Sequence, residues 1–271
     1  MNNINKFNEE TKLIIKQFID DLFIVLPNLE LKISKSKVEE IIVNNLEHNI
    51  EFDCDLPSKI KGQYSLKEKK IQISKRIEND EKQKRLTLFH ELIHALTSEV
   101  YTDELIQNNL YITEVLTTLL EEKYNAEIVK KETIDNRVNG YIPNFGRQLQ
   151  LVYGDELLEQ FIADPLNMHE VFASFNLDTK KFLYKQFVKE LNLLNYQIKN
   201  LEDDSNVKFT VRRIEENIAH QLFYKFTTAN TIKNLDIVES LFSSQYYPSF
   251  LVFSSMLFRI KDEKPLQEKT I

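Results

Sequence analysis

Thr87-Leu88-Phe89-His90-Glu91-Leu92-Ile93-His94-Ala95-Leu96 places two histidines four residues apart, with a glutamate directly after the first. Residues four apart on a helix lie one turn above each other on the same face, so His90 and His94 can point two imidazoles at one ion. Glu91 leans about a quarter-turn away. From there its carboxylate can reach a water on that ion without taking a coordination position, the arrangement in which two histidines hold zinc and the glutamate is the general base. The plain alternative is a surface helix with two solvated histidines. The flanks argue against it: apart from Glu91, Leu86 to Ala95 contains no Asp, Glu, Lys or Arg, and no Gly or Pro.

Outward from this stretch, Asn79 or Asp80 can cap the helix, with Gln83 as a capping-box partner, and the helix is expected to run to about Val100. Leu86, Phe89, Ile93, Leu96 and Val100 form its core stripe, with Thr87, His90, His94 and Thr97 on the adjacent face. Before it, Ile60 to Ser74 reads as a β-hairpin with a charged tip, Lys67-Glu68-Lys69-Lys70, and an alternating arm, Ile71-Gln72-Ile73-Ser74. Further upstream, a helix is expected over about Asn8 to Leu26, ended by Pro27, then a short strand over Leu29 to Ser34 and a helix over Ser36 to Glu47. Downstream, helices are expected over Ile112 to Ile128, Asn144 to Tyr153, Glu156 to Ile162 and Asn167 to Phe175. From about residue 177 longer amphipathic helices follow. The expected fold is α+β and mostly helical, with a catalytic domain over 1–176 that holds a short β-sheet before the active-site helix, and a helical C-terminal subdomain over 177–271.

Composition bounds the function. The chain has 271 residues, 42% hydrophobic and 28% charged, enough for a real core. A net charge of −7 argues against nucleic acid or an anionic membrane as the main partner. Cys54 is the single cysteine, which excludes an intramolecular disulfide framework and fits a reducing compartment. The polar Met1-Asn2-Asn3-Ile4-Asn5-Lys6 start has no signal-peptide core, so a cytoplasmic location is expected. The apolar run from Phe250 to Ile260 is too short to span a bilayer. Four glycines with abundant Asn, Lys and Ile fit a helix-rich bacterial protein from an AT-rich genome. The sequence leaves the oligomeric state open.

Two histidines leave a zinc site incomplete, because a catalytic site takes three protein ligands. A metzincin would need a glycine and a histidine where Thr97 and Val100 stand, so that class is excluded. His48, His169 and His220 have no motif context. Glu114 is the better candidate, a carboxylate on the apolar and threonine-bearing segment Tyr111 to Leu120. Glu121 and Glu122 read as ordinary, since they open a charged stretch with Lys123.

Together these residues carry a resemblance. TLFHELIHAL resembles the zincin metallopeptidase consensus, and Glu114 lies twenty positions after His94, the separation found in thermolysin-like gluzincins. The hairpin arm Ile71 to Ser74 is similar to the strand before the active-site helix in small gluzincins of low-GC Gram-positive bacteria. Thr113-Glu114-Val115-Leu116-Thr117-Thr118 resembles their N-E-G-x-T-E segment but has Val115 for the glycine and Thr118 for the last acid. The resemblance covers roughly Lys61 to Tyr153. In that family the last acid orients a zinc-binding histidine through its free ring nitrogen, a role Thr118 can fill only without charge.

The resemblance implies a zinc-dependent peptidase in which His90, His94 and Glu114 hold the metal and Glu91 is general base on a zinc-bound water. Tyr141, in the turn Asn139-Gly140-Tyr141, is the candidate oxyanion donor. Its partner would be a peptide or protein substrate, extended along the edge of the strand Ile71 to Ser74. The uncharged Thr118 motivates the alternative of a zinc-binding regulatory or interaction protein with little or no proteolytic activity. Cys54 reads as a partly buried structural thiol rather than a latency switch on the metal.

Overall fold

The computed structural model describes residues 4–58, 60–101, 110–131, 150 and 154–167. Helix α1 (Glu9–Val25) starts where the Asn8 side chain accepts the Thr11 amide, with Glu9 and Glu10 at its positive end. Pro27 stops it, as expected. The strand expected over Leu29 to Ser34 is instead a 3₁₀ turn over Pro27–Leu31. Leu29, Leu31 and Ile33 alternate like a strand, but Leu31 is 86% exposed while Leu29 and Ile33 are buried. The buried pair is therefore spaced four apart, the period of a helical turn. Ser34 caps α2 (Lys35–Asn45), and Lys6 Nζ donates to the carbonyls of Val43 and Leu46 at its far end, at 2.7 and 2.5 Å.

The sheet has three short strands, β1 (Glu51–Cys54), β2 (Gly62–Ser65) and β3 (Lys70–Ser74), in the order β1-β3-β2. β2 and β3 form the expected antiparallel hairpin, with Gln63 opposite Gln72 and Ser65 opposite Lys70. β1 lies parallel on the far side of β3, with Glu51 opposite Gln72 and Cys54 opposite Ser74. Three steps on β1 thus face two on β3. Asp53, at φ 59°, takes up the extra residue as a bulge.

Asp80 caps α3 (Glu81–Leu96) by accepting the Gln83 amide, and α3 packs against α1, α2, α4, β2 and β3. Helix α4 (Leu110–Tyr124) runs into a π-turn over Asn125–Val129 and stops at Lys130 in the left-handed region. Helix α5 (Glu156–Ala163) is the last long element described. Phe89 of α3 stacks on Tyr124 of α4 at 4.1 Å and tilts against Phe18 of α1. The Tyr124 hydroxyl donates to Asp21 at 2.8 Å, and Gln17 donates to the other Asp21 oxygen at 2.7 Å, so this buried carboxylate is satisfied. Burial first, then Asp21, pushes the Tyr124 phenol up to about 12.

These helices around a small three-stranded sheet make an α+β, mostly helical architecture, as expected. The chain divides into two units, Met1–Arg137 with Asp155–Val171, and Val138–Gly154 with Phe172–Ile271. The helices expected over 144–153 and from 177 onward lie outside the described residues, as does most of that expected over 167–175. Among the described residues, no helix is long and apolar enough to cross a membrane.

Candidate metal centre

Helix α3 carries the first half of the site because its apolar stripe is buried on several sides at once. Leu86, Phe89, Ile93 and Leu96 are buried as the periodicity required, and this fixes the rotation of the adjacent face. His90 is buried and His94 sits at the rim with its side chain 12% exposed. Their Nε2 atoms are 3.0 Å apart. Helix α4 brings Glu114 against both, Oε1 at 3.4 Å from His90 Nε2 and Oε2 at 3.3 Å from His94 Nε2. These ligand atoms lie within 4.8 Å of one another.

Ligands of a tetrahedral ion held at about 2.0–2.1 Å would sit about 3.3–3.4 Å from each other; each histidine meets its own Glu114 oxygen near this distance, and the two imidazoles are somewhat closer. The two glutamates also favour positive charge at His90. Burial makes His90 harder to charge, yet Glu114 and then Glu121 reverse this and push its imidazole up to about 10. Burial likewise opposes ionisation of Glu114, but His90 and His94 hold its carboxyl well below the usual range.

Glu121 is the residue that sequence reading missed. It is buried, and its Oε2 lies 2.8 Å from His90 Nδ1. Glu121 is therefore not an ordinary member of a charged surface stretch. A signal existed: Glu121 follows Glu114 by seven residues, two helical turns, so both share one face of α4.

Glu91 follows His90 in the chain and is not a member of the three-residue cluster. Its side chain is buried, and Oε2 accepts the backbone N–H of Tyr64 on β2 at 2.9 Å. Gly62 makes this approach possible. A Cβ on Gly62 would collide with Thr87 Cγ2 and press on Glu91 Cγ at 3.0 Å. Arg76 steadies the segment leading into β2 by donating to the carbonyls of Leu56, Pro57 and Ile60 at 2.9, 2.5 and 2.8 Å.

Gly62→Ala is expected to destabilise the fold by about 1–3 kcal/mol through overpacking. Adding Thr87→Ser, which removes the colliding methyl and keeps the hydroxyl, should restore a substantial part. Denaturant unfolding of the single and double variants reads this directly. A double variant no more stable than Gly62→Ala would locate the strain elsewhere.

The strand Ile71 to Ser74 does not offer an edge. β3 is the central strand, hydrogen-bonded on both sides, whereas β2 has a described neighbour on one side only and borders Glu91. Among the described strands the edges are β1 and β2, and β2 is the one that touches Glu91. Cys54 lies on β1, across β3 from the strand that touches Glu91, and its thiol contacts Gln72 Nε2 at 3.8 Å. His48 is exposed. Tyr141, His169 and His220 lie outside the described residues. Comparison with family models, with curated proteins and with solved structures gives no match for this chain.

Proposed function

We propose that this chain is a zinc-dependent peptidase of the gluzincin type, with a zincin-like catalytic domain. The observation that carries the reading is the convergence of His90, His94 and Glu114, with the buried Glu91 next to His90 in the chain. His90, His94 and Glu114 would hold the ion through two nitrogens and an oxygen, a donor set suited to zinc. Zinc, when bound, supplies a Lewis acid that polarises a carbonyl and makes a water acidic near neutral pH.

The remaining work belongs to the protein. Glu91 takes the proton from the attacking water and passes it to the leaving amine, a task that needs a carboxylate close to the cluster but outside the ligand set. The Tyr64 amide fixes one Glu91 oxygen and leaves the other for that transfer. An extended peptide could pair with the edge of β2, which would carry its backbone past Glu91. A single cysteine fits a reducing compartment, so the reading extends to a cytoplasmic enzyme.

The alternative of a metal-binding regulator with little proteolysis was motivated by the uncharged Thr118. Glu121 gives His90 a carboxylate from a different position, which weakens that motive. The test joins metal analysis to cleavage of a broad peptide pool. About one zinc per chain, with cleavage stopped by a chelator and restored by zinc, is the expected result. Purified protein that takes up no zinc would overturn the metal reading, and zinc-loaded protein inert on the pool would favour the regulator.

A further inference from the structure

His90 is held from both sides by carboxylates of the same helix. Glu114 approaches its Nε2 at 3.4 Å and Glu121 its Nδ1 at 2.8 Å. An ionised carboxylate can only accept, and the Glu121 contact is the closer of the two, so once Nε2 gives its lone pair to an ion the ring proton stays on Nδ1, facing Glu121. The hydroxyls between the two glutamates do not share the task. Thr117 Oγ1 is buried with no hydrogen-bond partner among the described residues, and Thr118 is not among the partners of His90.

We propose that Glu121 is the positioning residue of this site, fixing the tautomer and ring orientation of His90 so that α4 supplies both the third ligand and the support of the first. The proposal rests on the zinc reading above. Glu121 stands three residues beyond Thr118, about 4.5 Å further along the helix axis. The support has thus moved along the helix rather than been lost.

The test measures zinc affinity of the full-length protein by competition with a chromophoric chelator, using zinc ion alone, for wild type, Glu121→Gln and Glu121→Leu. Removing an outer hydrogen-bond partner of a ligating histidine weakens metal binding by about 10–100-fold. Glu121→Leu should show that loss, and Glu121→Gln, which keeps an acceptor oxygen but no charge, should lie between it and wild type. The ring nitrogens give a second readout. In zinc-loaded wild type the His90 Nδ1 proton should be strongly deshielded in ¹H–¹⁵N spectra, and it should shift upfield in Glu121→Gln.

Wild-type protein without zinc affinity would overturn the underlying metal reading. Tight zinc binding by wild type, with affinity and Nδ1 signal unchanged in Glu121→Gln, would overturn the role of Glu121 alone. Should Glu121→Leu fail to fold, Glu121→Gln still decides, because it is nearly isosteric.

Discussion

Glu91→Gln is expected to leave zinc content unchanged and lower peptide hydrolysis by about 10²–10⁴-fold, the usual contribution of a positioned general base. The amide matches the carboxylate in size and can still accept the Tyr64 N–H through its oxygen, so the contact with β2 survives. What disappears is the ability to take a proton. Because Glu91 is outside the cluster of His90, His94 and Glu114, the metal should not notice the change. Metal analysis and kcat on one substrate, measured on the same preparation, separate the two effects. Loss of zinc together with activity would instead make Glu91 part of the ligand set.

The second large effect concerns stability. A ligand that binds only the folded chain stabilises it by about 4.1 kcal/mol when present at a thousand times its Kd. Zinc should therefore raise the unfolding free energy of wild type by roughly that amount, and chelation should remove it. His94→Ala should lose the zinc-dependent part with little change to the metal-free protein, since His94 lies at the rim of the site. His90→Ala should be worse even without zinc. It strips a buried partner from Glu121, and breaking a buried pair costs about 3–5 kcal/mol. Denaturant unfolding with and without zinc checks both, and equal metal-free stabilities for the two variants would show that the Glu121 pair contributes nothing.

The candidate site was legible to the extent that one helix could encode it. The four-residue spacing of His90 and His94, and the apolar stripe through Leu86, Phe89 and Ile93, follow from helical geometry and need no partner element. The hairpin of β2 and β3 was legible because its tip and its alternation are local. β1 was not: it is four residues long, its outward positions are exposed, and its pairing joins Glu51 to Gln72 across the hairpin. Leu29 to Ser34 misled because three alternating apolar residues satisfy two periods at once, and burial chose the helical one.

By itself the sequence determined a helix with two imidazoles one turn apart on one face, a glutamate next to the first and a carboxylate at Glu114 within a further helical segment. These are properties of order along a chain, fixed by the rise and turn of a helix. Only the tertiary structure decided which carboxylates reach His90, because that depends on how α4 lies against α3. The same packing turned Glu121 from a charged surface residue into a buried partner of His90 Nδ1. It also placed β2 rather than β3 beside Glu91, since strand order is a matter of which edges find a neighbour.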